Sequence, residues 1–198
     1  MTRLAVVSAG LGQPSSTGLL ADRLARATAQ ALRDDAEITT IDLRDHAHAV
    51  MDHLLTGFPG ASLRPALEAV ERADGLIAVT PVFNASYSGL FKSFFDVLDR
   101  DSLDGTPVLP AATGGTARHS MVIDHALRPM FAHLRATLTP TAVFAATEDW
   151  GNDRALPARI TRAGGELASL IEARPALATR DPYEDPIPFA RLLSNDPA

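Results

Sequence analysis

The sequence predicts an α/β domain built on a doubly wound parallel sheet. Three observations carry that expectation. Short apolar runs rich in β-branched residues recur along the chain, each bounded by glycine, proline or hydroxyl residues. Longer segments with apolar residues at helical spacing lie between them. The two kinds alternate, five of each, and such alternation gives parallel strands with helices on both faces.

Leu4–Val7 is the first run, and a Gly/Pro/Ser-rich turn, Ser8–Gly18, comes after it. From Leu19 to Leu32, Leu20, Leu24, Ala27 and Ala31 share one face, with Arg23 and Arg26 off it. Glu37–Leu43 is the second strand, and a mixed segment runs on to about Gly60. Leu63–Arg72 is helical. Gly75–Thr80 is the third strand, apolar enough to be buried on both faces. Leu90–Arg100 is a helix with Phe91, Phe94, Phe95 and Leu98 at i, i+3, i+4, i+7. That is more ring surface than one face needs, and it points to a subunit contact.

Pro107–Thr113 reads as the fourth strand in spite of its prolines, which remove ladder donors. His119–Ala136 is a helix that Pro129 should kink. Pro140–Ala146 is the fifth strand and Arg154–Ala173 the last helix. Beyond it come Pro175, Pro182, Pro186, Pro188 and Pro197, so residues 174–198 read as an extended tail on one domain, 1–173.

Bulk properties narrow the function. The chain has 198 residues, enough for one well-buried core, with 46% apolar and 21% charged residues. A net charge of −6 speaks against nucleic acid, whose binders carry a basic face. With no cysteine, thiolate catalysis, disulfides and cysteine metal sites are excluded. His46, His48 and His53 invite a metal reading, but their polar surroundings fit a solvated connection. The start, Met1-Thr2-Arg3-Leu4-Ala5-Val6-Val7-Ser8, looks like a strand and not a signal peptide. No apolar run approaches the roughly 18 residues that span a bilayer. A cytoplasmic protein without membrane contact is expected.

Doubly wound sheets bind ligands at the carboxyl ends of their strands. The loops there should therefore be unusual, and three are. After strand one, Ser8, Ser15, Ser16 and Thr17 accompany glycines and open a helix, where free N–H groups and the helix dipole favour a phosphate. No P-loop lysine is present after them, so an NTPase reading fails. After strand three comes Thr80-Pro81-Val82-Phe83-Asn84-Ala85-Ser86-Tyr87, where a proline fixes direction and leaves the next N–H groups free to meet a flat heterocycle. After strand four, Thr113-Gly114-Gly115 lets backbone approach a planar ring. Arg118 and His119 come next, as candidate stabilisers of negative charge.

The order of these loops, with Ser88-Gly89-Leu90-Phe91-Lys92 and Asp96 after the second, resembles the NAD(P)H-dependent FMN reductase family. It looks closest to the actinobacterial type that partners luciferase-like monooxygenases. The likeness covers about residues 3 to 172. It implies a flavodoxin-like sheet of five parallel strands in order 2-1-3-4-5. It also implies that Ser8, Ser15, Ser16 and Thr17 hold the FMN phosphate. Pro81, Val82, Phe83 and Asn84 would meet the isoalloxazine edge and ribityl chain, and Thr113, Gly114 and Gly115 the pyrimidine end. Many relatives carry an arginine in the first loop, where this chain has Gly12-Gln13-Pro14. Phe83 stands where tyrosine is commoner.

The resemblance further implies hydride transfer from NAD(P)H to flavin N5, a homodimer or higher homo-oligomer with flavin sites near its interface, and a flavin-dependent monooxygenase as partner. The flavin would carry the redox chemistry and the protein the binding and orientation. A quinone or azo reductase on the same fold and a flavodoxin-like electron carrier are the alternatives.

Overall fold

The computed structural model describes residues 1–151 and 155–174. Its centre is β1 (Thr2–Ser8), flanked in parallel by β2 (Ala36–Asp42) and β3 (Gly75–Phe83). Alternate residues of β1 feed two cores, as the pleat requires: Leu4 and Val6 one, Ala5 and Val7 the other. Next to β3 runs β5 (Pro107–Gly114), with Ile77 opposite Leu109. The path is β2-β1-β3-β5 and then β6 (Thr137–Leu138) and β7 (Val143–Ala146), both parallel to β5. A two-residue strand, β4 (Ser86–Tyr87), folds back antiparallel on β3. This is the doubly wound order of flavodoxin-like sheets.

The parallel sheet with helices on both faces is as expected; the count of five strands is corrected to seven. One addition is the hairpin stub β4. The other arises because the last strand is split, and β5 supplies the reason. Thr139 N–H donates to the Val108 carbonyl at 3.0 Å. In a parallel ladder the next bond on that side would run from the amide of residue 110 to the Thr139 carbonyl. Residue 110 is proline and has no donor. Instead the Arg128 guanidinium donates to the carbonyls of Thr139, at 3.2 Å, and Pro140, at 2.7 Å. The edge strand breaks there and resumes at Val143. Thr141 is held across the gap by Glu166, through its N–H at 2.6 Å and its hydroxyl at 2.8 Å.

Helices α1 (Ser16–Ala31) and α6 (Ala155–Ala173) cover one face, where Leu20, Leu24, Leu156 and Leu167 meet Val6, Ile77 and Leu109. The other face carries α2 (Leu43–Thr56), α3 (Arg64–Glu71), α4 (Gly89–Asp96) and α5 (Arg128–His133). The mixed segment before Gly60 is therefore mostly a 14-residue helix. Asp42 caps it through the Arg44 N–H, and Gly57 ends it at φ 77°. Helix α4 stops at Asp96, short of Arg100.

The single helix expected over 119–136 is three pieces: a 3₁₀ turn at Ala117–His119, a π turn at Ile123–Leu127, and α5. Pro129 sits in the first turn of α5, where a missing N–H costs nothing, so it begins that helix. Phe91, Phe94 and Phe95 are buried within this chain, not held out for a partner. Phe131 of α5 receives Phe95 edge-on at 5.1 Å. Residues 175–198 of the Pro-rich tail lie outside the described residues.

Candidate active site

Three loops meet at the carboxyl edge of the sheet. The first leaves β1 at Ser8 and is tied back at once by the Ala9 N–H to the Val79 carbonyl, 3.0 Å. It ends at Ser15, whose hydroxyl caps α1 by accepting from the Gly18 N–H at 3.1 Å. A Cβ on Gly10 would stand 2.0 Å from that hydroxyl oxygen, so this close approach needs glycine. The first-turn N–H groups of Ser16 and Thr17 have no acceptor within the helix and open toward the edge.

The second loop is a hairpin. Val82 pairs with Tyr87 and Phe83 with Ser86, leaving Asn84 and Ala85 as a two-residue turn with φ 49° and 66°. Positive φ at both central residues is the turn geometry that matches strand twist. Buried Thr80 holds its base: the Thr80 hydroxyl accepts from the Ser88 N–H at 3.0 Å and donates to the Pro81 carbonyl at 2.9 Å. Ser88 then caps α4 through the Phe91 N–H, and Lys92 pairs with Asp96 one turn on. The strand, the turn and the helix are thus locked as one unit.

The third loop continues β5 through Thr113 and Gly114. Thr113 and Thr17 are both buried and share a hydroxyl–hydroxyl bond of 2.8 Å. This bond joins the first loop to the third across the sheet edge.

Between the loops lies a cleft of about 430 Å³, within the range of small-molecule sites. Nine of the eleven residues expected at the site line it: Ser15, Ser16, Thr17, Pro81, Val82, Phe83, Thr113, Gly114 and Gly115. Ser8 is buried below and Asn84 stands on the hairpin turn; neither lines the cleft. Arg118 and His119 are exposed on the 3₁₀ turn, also outside the lining. Sequence reasoning missed Leu11, Gly12, Pro14, Thr147 and Trp150. The last two come after β7, and the strand-end rule could have found them had it been applied to the fifth strand as well.

None of the fourteen lining side chains is ionisable. An anion here depends on backbone N–H groups, hydroxyls and the α1 dipole, while apolar and backbone surfaces face any flat ring. That division fits a phosphorylated flavin. The description of the family model matching residues 2–151 is NADPH-dependent FMN reductase. The chain belongs to this family.

Relatives agree over most of their length. An FMN reductase (NADPH) of Pseudomonas aeruginosa is 38% identical, with 88% of this chain and 95% of the relative covered. An NADH-dependent FMN reductase, SfnF, of Pseudomonas putida is 40% identical over 74% of this chain and 78% of its own. The crystal structure of an oxidoreductase from Corynebacterium diphtheriae superposes with a TM-score of 0.86 at 46% identity, over 88% of this chain and 99% of that one. The protein is accordingly an NAD(P)H-dependent flavin oxidoreductase acting with FMN.

In this reductase the Thr17–Thr113 bond carries the first stability test. Thr17→Val leaves the Thr113 hydroxyl buried without its partner, at a cost of about 1–3 kcal/mol. A lower denaturation midpoint and weaker FMN binding are expected together. Unchanged binding would show that the two loops hold their places without the bond.

Proposed function

We propose that this reductase binds FMN in the three-loop cleft, with the phosphate at the start of α1 and the ring between the Pro81–Phe83 and Thr113–Gly115 segments. The wholly uncharged lining at a helix N-terminus carries the reading. When bound, FMN supplies the redox chemistry, taking a hydride from the nicotinamide at N5. The residues of this chain orient it. Ser15, Ser16 and Thr17 offer hydroxyls and N–H groups to the phosphate, and Gly114 and Gly115 let main chain come against the ring. Half-exposed Phe83 forms one side of the cleft mouth.

The same reading has reduced FMN pass to a flavin-dependent monooxygenase, and the reductase act in the cytoplasm as a homodimer or higher homo-oligomer. The family resemblance of the Thr80–Asp96 segment supports that part. Among the described residues no helix is long and apolar enough to cross a membrane.

Trp150 is the only tryptophan in the chain and lines the cleft, which gives a direct test. Added FMN should quench its fluorescence saturably, and the FMN-loaded protein should oxidise NADH or NADPH. Quenching without oxidation, whether FMN, quinones or azo compounds are offered as acceptors, would leave an electron carrier instead. Absence of quenching would remove FMN from this cleft.

A further inference from the structure

Trp150 is also half of a second feature. The Arg23 guanidinium lies 5.1 Å from the centroid of its ring, in cation–π range. Trp150 packs against the core formed by α1 and α6 and at the same time lines the cleft that Ser16 also lines. Ser16 and Arg23 are seven residues apart on α1, so they share a face to within about 20°. Helical side chains lean toward the N-terminus, which aims Arg23 along that face toward the first turn. Among the described residues Arg23 forms no ion pair with a carboxylate, although other arginines of the chain, such as Arg3, Arg33 and Arg128, do. The cleft itself offers no cation.

From these observations we infer that Arg23, seated on Trp150, is the countercharge for the flavin phosphate and makes the site prefer FMN over riboflavin. The inference rests on the FMN reading above. A phosphate monoester at the start of α1 would bring close to two negative charges into an uncharged cleft. The helix dipole, worth about half a charge, balances only part of that. A cation held behind the cleft wall, on the ring of Trp150, adds one more positive charge without entering the lining. Its effect falls on the phosphorylated ligand alone, and salt should weaken it.

The experiment is titration of the full-length protein with FMN and with riboflavin, at low and high salt, for wild type, R23Q and R23K. Arg23 is exposed, so R23Q is expected to fold. In R23Q the Kd for FMN should rise about two- to fivefold at low salt and less at high salt, with the riboflavin Kd unmoved. R23K should keep most of the preference. Equal weakening of both flavins would make Arg23 a mere support for Trp150 and overturn the inference, as would no change in either. R23K behaving like R23Q would overturn it too, since charge would not be the agent. If wild type binds neither flavin, the FMN reading itself has failed, which is a separate result.

Discussion

Phe91→Ala is expected to cost about 3–5 kcal/mol of folding stability, the range for removing a buried aromatic ring. Phe91 is fully buried and central to a run of rings: Tyr87 at 6.1 Å, Phe95 at 4.8 Å and Phe131 at 6.3 Å, the last edge-on at 86°. These contacts fasten α4 to α5 and to the hairpin after β3. Alanine would leave a cavity that three neighbouring rings cannot all collapse into. For a chain of this size the loss corresponds to roughly 6–20 °C in Tm. Function should change with it, because the Phe91 N–H donates to Ser88, and the Ser88 N–H donates to Thr80 at the base of the Pro81–Phe83 segment. Phe91→Leu should recover most of the stability and most of the FMN affinity. Calorimetry of the two variants decides it: a loss below about 1 kcal/mol for alanine would mean the ring cluster carries little of the core.

The layers of the fold were legible wherever apolar pattern and element coincide. Gly75–Thr80 is apolar enough to be buried on both faces, and it is the inner strand β3. Leu20 and Leu24 mark the buried stripe of α1 from spacing alone. Helix α2 was not legible, because it packs against α4 and buries only Leu43 and Val50. A helix with so little to bury leaves little periodicity, and its histidines read as loop. The split of the last strand was hidden for another reason. It depends on a proline in a neighbouring strand thirty residues earlier and on Arg128, and no local pattern reports either. For the site, the strand-end rule pointed to all three loops that border the cleft, while Ser8 and Asn84 lie outside its lining. Ser8 faces inward at the base of the loop, and Asn84 tolerates the left-handed turn.

Gly164→Ala should disturb the start of α1, at the cleft, from a distance. A Cβ on Gly164 would stand 2.8 Å from both the carbonyl carbon of Ala27 and the amide nitrogen of Thr28, backbone atoms of α1 that no rotamer change can move aside. Helices α6 and α1 would have to separate, at about 1–3 kcal/mol for overpacking, less about 1 kcal/mol gained from alanine's better helix propensity. Gly165, one residue on, has open space where its Cβ would be. Gly165→Ala should therefore stabilise the protein by up to about 1 kcal/mol. Opposite signs from adjacent glycines would isolate packing from propensity. Because α1 carries Ser16 and Thr17 at its start, G164A should also weaken FMN binding, while G165A leaves it unchanged. If both variants shift the unfolding midpoint the same way, the close contact between α1 and α6 does not decide the effect of a Cβ at Gly164.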